Sequence, residues 1–143
     1  MKNTLKNLSL AFVAIILFSF SNSYAQQKKY EAKDGIFYMD GKAQFTFDEL
    51  NNATTKKKDI ILKNTKGERL ILFQLKETST KTTYYEVHFL NNNSKTEINS
   101  TDLSGLGQTI IESQLITEGV LNVEAEKKFV AANEGKFTKP KTK

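Results

Sequence analysis

Gly35-Ile36-Phe37-Tyr38-Met39-Asp40-Gly41-Lys42-Ala43-Gln44-Phe45-Thr46-Phe47 carries the clearest structural signal in the chain. Two apolar and aromatic runs flank Asp-Gly. A two-residue type I′ turn needs positive φ at both central positions, which Asp and Gly adopt at low cost. That turn sets a register of Met39 opposite Lys42, Tyr38 opposite Ala43, Phe37 opposite Gln44 and Ile36 opposite Phe45. Alternation then predicts a core face of Ile36, Tyr38, Ala43, Phe45 and Phe47, with Phe37 and Met39 on the other face.

Upstream, Gln26 to Lys33 reads as a polar arm. Downstream, Asn51 to Lys58 is a polar linker, and Asp59 to Lys63 pairs with Arg69 to Lys76 around Asn64-Thr65-Lys66-Gly67. Gly67 suits the left-handed position of a three-residue loop, which sets Ile60 and Leu62 beside Leu72 and Leu70, with Ile61, Ile71, Phe73 and Leu75 opposite. Both faces are apolar, so this pair belongs at the centre of a sheet. Thr82 to Leu90 alternates Tyr85, Val87 and Phe89 against Tyr84, Glu86, His88 and Leu90; Asn91 to Ser94 turns the chain and Lys95 to Asn99 returns it.

Past Asn99 the period becomes helical. Leu103, Leu106, Ile110, Ile111 and Leu115 recur at three- and four-residue spacing, with Ser100, Thr101 or Asp102 as N-cap and Gly119 as stop. Gly105 and Gly107 allow close approach to the sheet or delay the helix start. Asn122 caps a second helix from Val123 to about Asn133, striped by Ala125, Phe129 and Ala132 and ended by Gly135. The expected fold is α+β: an antiparallel meander of about six strands followed by two C-terminal helices packed on one face, in a single domain over 26–135 with a flexible lysine-rich tail at 136–143.

Met1 to Ala25 reads as a secretory leader, with Lys2 and Lys6 before an apolar run from Leu8 to Phe20 and Ser23-Tyr24-Ala25 as the cleavage site. The run is too short to span a bilayer, so cleavage before Gln26 is expected, with no transmembrane span thereafter. The leader holds two lysines and no acid, so its removal lowers the net charge from +5 to +3. Residues 30–135 hold 13 basic and 16 acidic groups, and Arg69 is the sole arginine. A mildly acidic folded part argues against nucleic acid as a partner. Cysteine is absent, which excludes disulfides, thiolate nucleophiles and Cys-ligated metal, and His88 stands alone. No cofactor is expected. Leu, Ile, Val and Phe make up 29 of the 118 residues after the leader, enough for a core.

The leader with Ala25-Gln26, Asp40-Gly41-Lys42, Asn64-Thr65-Lys66-Gly67-Glu68-Arg69-Leu70-Ile71, Tyr84-Tyr85-Glu86-Val87-His88-Phe89-Leu90 and the closing helices resemble small secreted proteins of unassigned function from Bacteroidota. The resemblance implies an exported, periplasmic protein of a Gram-negative cell. It brings no catalytic residues.

Few residues could carry chemistry. His88 suits general acid–base work, and Glu86 lies two residues away on the same strand face, but no nucleophile is marked beside them. Asp34-Gly35 and Asp40-Gly41 lack the spacing and closing glutamate of a calcium loop and are turn chemistry instead. Glu112, Glu118, Glu124 and Glu126 offer carboxylates for glycoside hydrolysis, yet solvation and helix-end electrostatics explain their placement. Gly105-Leu106-Gly107 lacks the spacing of a phosphate loop. Phe37 and Met39 would form a docking pair for a protein, peptide or glycan if exposed, and are core if the helices cover them. The tail lysines could touch anionic lipid or polysaccharide. Asn52, Asn92 and Asn99 open Asn-x-Ser/Thr sequons that matter only in a eukaryotic secretory pathway. The expected function is an exported, non-enzymatic binding or envelope-associated module, periplasmic or extracellular. The alternative is a small hydrolase of envelope glycans or peptides acting through carboxylates or His88.

Overall fold

The computed structural model describes residues 27–139. The expected leader at 1–25, the expected cleavage junction at Gln26, and residues 140–143 of the expected tail lie outside the described part. One antiparallel sheet contains β1 (Tyr30–Lys33), β2 (Ile36–Met39), β3 (Lys42–Asn51), β4 (Lys58–Lys63), β5 (Arg69–Glu77), β6 (Thr83–Phe89) and β7 (Lys95–Asn99), each hydrogen-bonded to the next in chain order. The expected meander is present, with seven strands where about six were counted.

The extra strand is β1, which replaces the expected polar arm. Asp34 and Gly35 have φ of 52° and 76°, essentially the values of Asp40 and Gly41 at 51° and 76°, so the same turn occurs twice in succession. Tyr30, Glu31, Ala32 and Lys33 pair with Met39, Tyr38, Phe37 and Ile36.

Two single-residue bulges decide which side chains are core, and both overturn the expected faces. The Asp40-Gly41 turn does pair Met39 with Lys42 and Tyr38 with Ala43, but Phe37 then pairs with Phe45 and Ile36 with Thr46, leaving Gln44 extra. Phe37 thereby joins Phe45 and Phe47 in the core cluster, in place of Ile36 and Tyr38. In the next hairpin Gly67 adopts φ 82°, and its N–H donates to the Asn64 carbonyl, as a three-residue loop requires. A bulge at Leu70 then pairs Leu62 with Ile71 and Ile60 with Phe73 rather than with Leu70 and Leu72. Each bulge shifts register by one residue, and that shift moves a strand's large apolar set to the opposite face. With Phe37 and Phe73 moved in, the core side holds four phenylalanines, Phe37, Phe45, Phe73 and Phe89, at most 1% exposed. Burying each contributes roughly 1.5–3 kcal/mol.

Helix α1 (Leu103–Glu112) starts at Asp102, whose carboxylate accepts the Gly105 N–H at 2.8 Å. It stops earlier than expected. Gln114 takes the left-handed conformation at φ 54°, its N–H donates to the Ile111 carbonyl, and the Leu115 N–H reaches back to the Ile110 carbonyl. That pair of bonds satisfies the last carbonyls of the helix and turns Leu115 into the core. Gly119 therefore is no helix stop. With Glu118 it forms the turn of a small hairpin, β8 (Ile116–Thr117) and β9 (Val120–Leu121). Helix α2 (Val123–Asn133) begins at Asn122, whose side-chain oxygen accepts the Ala125 N–H at 3.2 Å. Its buried residues are Glu126 and Phe129, while Ala132 is exposed, so the expected Ala125, Phe129 and Ala132 stripe is displaced toward Glu126.

Each helix meets one end of the sheet. Gly107 of α1 lies on the ring of Phe37, so close that a Cβ there would sit 2.1 Å from Phe37 Cδ2. The Ser104 hydroxyl accepts the Ala32 N–H of edge strand β1 at 3.2 Å. At the other edge, Thr96 of β7 donates to the Val130 carbonyl of α2 at 3.2 Å, and Phe129 meets Phe89 edge-on at 6.3 Å. Occupying the Ala32 N–H at one edge and laying a helix against β7 at the other blunts strand-to-strand aggregation. Among the described residues no helix is long and apolar enough to cross a membrane.

Candidate functional site

The strand face opposite the core carries His88 and Glu86. Register aligns Asp48, Ile61, Leu72, His88 and Lys95 in one row across the sheet, and Gln74, Glu86 and Glu97 in the next. His88 Nε2 lies 2.7 Å from Glu86 Oε1, and Lys76 Nζ lies 3.9 Å from that same oxygen. A carboxylate so placed orients the imidazole. General-base catalysis also needs a reacting group within hydrogen-bond reach. Among the described residues the one side-chain hydrogen bond of His88 is to Glu86.

Phe37 and Met39 part company. Phe37 has no exposed surface and stacks on Phe45 at 4.9 Å and on Tyr30 at 6.1 Å, with α1 above it. Docked under the helix, it has no surface to offer a partner. Met39 is half-buried near the Asp40-Gly41 turn, opposite Lys42 on one side and Tyr30 on the other.

The helical acids do not converge. Glu112 accepts from Gln108 Nε2, Glu118 sits in the β8–β9 turn, and exposed Glu124 pairs with Lys127 at 3.0 Å. The Lys127 ammonium, bonded to the Glu124 carboxylate, holds it below the ordinary value, with Lys128 adding to the effect. Glu126 is 1% exposed and receives Asn91 Nδ2 at 2.9 Å, Asn92 Nδ2 at 2.7 Å and Ser94 Oγ at 2.6 Å. It clasps the β6–β7 turn to α2 rather than serving as a solvated helix-end charge.

Two further buried polar groups were invisible as such in the sequence. Asn64, 3% exposed, accepts the N–H groups of Lys66 and Glu68 at 3.0 Å each and donates to the Gly119 carbonyl at 2.8 Å, tying the β4–β5 loop to the small hairpin. Glu97, 7% exposed, receives the backbone N–H groups of Phe137 at 2.6 Å and Thr138 at 3.1 Å, and the Thr138 hydroxyl. Phe137 stacks on Tyr84 at 5.0 Å with rings 12° apart. Phe137 and Thr138, within the stretch expected as a flexible lysine-rich tail, make these contacts. The one available signal was Phe137 itself, an aromatic ring in an otherwise polar stretch. Burial raises the Tyr84 phenol above 10.0, and Glu97 and Glu86 add to it; burial likewise raises Tyr85, with Glu49 and Asp102.

Two hollows run along α2. One of about 430 Å³ is lined by Ser113, Gln114, Asn122, Lys128, Phe129 and Asn133, among others. The other, about 520 Å³, includes Thr101, Gln108, Thr109, Glu112, Phe129 and Asn133. Phe129 and Asn133 belong to both, so the two adjoin between the helices. Neither includes His88 or Glu86. The lining combines apolar carbon from Phe129 with amides, hydroxyls and four charged side chains, Glu112, Glu124, Lys128 and Lys136, whose charges balance, a composition suited to hydroxyl-rich ligands of no net charge. Among the described residues no three His, Asp or Glu side chains group as metal ligands.

Compared with protein-family models, curated proteins and solved structures, the chain gives no match.

Proposed function

We propose that the chain is an exported binding module of the cell envelope, periplasmic or extracellular and without catalytic activity, that takes a neutral glycan segment between its helices. In this reading both helices close the core side of the sheet and leave the inter-helix groove as the ligand site. The observation that carries it is the adjoining pair of hollows sharing Phe129 and Asn133. Their sizes fall within the range of small-ligand sites, and side-chain amides beside an aromatic ring suit sugar hydroxyls and acetamido groups. The Glu86–His88 pair, by contrast, is tied to itself and to Lys76 on a strand face outside those hollows. The leader supplies the export route.

The test is co-sedimentation of the full chain with purified peptidoglycan sacculi, with soluble sugar measured in the same tubes. The expected result is saturable binding without sugar release. Gln114→Gly, which keeps the left-handed helix end, combined with Lys128→Ala should weaken binding about tenfold, the size of two lost hydrogen bonds to ligand. Release of sugar that His88→Ala abolishes would establish the hydrolase instead, and absence of binding would refute the glycan reading.

A further inference from the structure

The C-terminal segment engages the strand face opposite the core through a set of contacts that reads both backbone and side chain. Glu97 Oε2 accepts two successive backbone N–H groups, those of Phe137 and Thr138, while Oε1 accepts the Thr138 hydroxyl. A carboxylate that receives consecutive amides fixes an extended or turning backbone regardless of sequence; the hydroxyl contact adds a preference for Thr or Ser. The Tyr84 ring, 7% exposed, supplies a flat platform on which Phe137 stacks. Offset aromatic stacking contributes about 0.5–1.5 kcal/mol beyond its burial, which adds a preference for an aromatic residue just before the hydroxyl residue.

The platform and the carboxylate come from adjacent strands, β6 and β7, where register sets Tyr84 opposite Asn99 and Glu86 opposite Glu97. The site is therefore built on rigid sheet. The segment that fills it is attached more lightly. Beyond Gly135, at φ 64°, it is held to the rest of its own stretch by the Lys136 N–H to the Asn133 carbonyl at 3.4 Å, the Lys139 N–H to the Gly135 carbonyl at 2.9 Å, and an exposed Lys139–Glu134 pair at 2.8 Å. Exposed ion pairs contribute little, so apart from the Glu97 and Tyr84 contacts themselves little holds this stretch to the fold, and it can leave the site as a unit. Beside Phe137 a hollow of about 450 Å³ continues along Thr78, Thr80 and Thr82, with room for residues flanking a bound segment.

We propose that Tyr84 and Glu97 form a recognition site for an extended peptide segment with an aromatic residue followed by threonine, and that Phe137-Thr138 is its resident, displaceable occupant. The hollow beside it shares Asn99 and Lys136 with one of the two inter-helix hollows but neither Phe129 nor Asn133. Its ligand in trans is a peptide of the same chemistry. The tail competes with that ligand, so apparent affinity is reduced by the fraction of chains whose tail is docked.

The probe is a fluorescein-labelled peptide Gly-Lys-Phe-Thr-Lys, read by anisotropy against the full chain. The Phe137→Ala/Thr138→Ala double variant keeps the two backbone donors to Glu97 but loses the stacked ring and the hydroxyl bond, so its tail occupies the site less and it should bind the peptide several-fold to about tenfold more tightly than the unaltered chain. Adding Glu97→Gln to that variant should return binding to the unaltered level or below, and a peptide with Ala for both Phe and Thr should bind about tenfold more weakly. Equal binding by the unaltered and double-variant chains, indifference to Glu97→Gln, or equal binding of the Ala peptide would each overturn the proposal. If the double variant does not fold, amide exchange in the unaltered chain decides the matter. The Phe137 and Thr138 amides should exchange more slowly than in the free peptide yet faster than those of β7. Absence of protection, or protection equal to β7, would overturn it.

Discussion

Gly107→Ala should destabilise the protein although it replaces glycine with the best helix former. The helical gain is about 1 kcal/mol. Against it stands the Cβ position, 2.1 Å from both Cδ2 and Cε2 of Phe37 and 2.6 Å from Cγ. The Phe37 ring cannot swing aside, because it has no exposed surface and stacks on Tyr30 and Phe45. The alternative is for α1 to lift from β1 and β2. Overpacking of a tight core costs roughly 1–3 kcal/mol, and more when backbone must move, so a net loss of about 1–2 kcal/mol is expected. For a domain of this size that corresponds to a fall of about 4–8 °C in Tm. Gly105→Ala is the internal control, two residues away on the same helix. Its Cβ would meet Thr101 Oγ1 at 2.1 Å, but Thr101 is exposed and its side chain can rotate away. That variant should range from neutral to about 1 kcal/mol more stable. Urea melts of both variants with equal m-values make the comparison clean. Gly107→Ala matching or exceeding the unaltered stability, or Gly105→Ala losing more than Gly107→Ala, would refute the close approach of α1 to Phe37.

Three further outcomes follow from the packing. Phe37→Ser should cost at least about 3–5 kcal/mol in urea melts, while Met39→Ser should cost about 1 kcal/mol, since only the first deletes a fully buried ring; equal small losses would restore the pair as a surface. Glu126→Ala removes the acceptor of three side chains and should cost about 3 kcal/mol, with Glu126→Gln retaining part of it; a loss under about 1 kcal/mol would mean the clasp carries no weight. Both Tyr84 and Tyr85 have folded values raised above 10.0, so the protonated phenol is the form the fold favours. Their contribution is complete below pH 10 and is lost as pH rises through the raised values, so thermal stability should fall in that alkaline range, and less so in Tyr85→Phe.

Turn chemistry was legible because it is local. Asp40-Gly41, Gly67, Asp102 and Asn122 each perform the role their residue type predicts. The alternation of Tyr85, Val87 and Phe89 against Tyr84, Glu86 and His88 also holds. The bulges were not legible, because Ile36, Phe37, Tyr38 and Met39 are all apolar and alternation within them is ambiguous. One extra residue at Gln44 settles the face through long-range packing that no window of sequence contains. Asp34-Gly35 repeated a turn already recognised, and applying the same rule twice would have found β1. The end of α1 was misplaced because Gln114 does what glycine usually does. Buried Glu126, Asn64 and Glu97 escaped because burial is a property of the neighbours, and those neighbours lie 32 to 55 residues away for several of the bonds.

The central claim is that ligand enters between the helices. Titrating isotope-labelled full chain with a soluble chito-oligosaccharide, an uncharged fragment made of N-acetylglucosamine alone, and following backbone amide resonances, tests it directly. The account predicts shifts gathered at Gln114, Asn122, Lys128, Phe129 and Asn133, with Glu86 and His88 unmoved. Shifts centred on Glu86 and His88, or no shifts at saturating fragment, would contradict it.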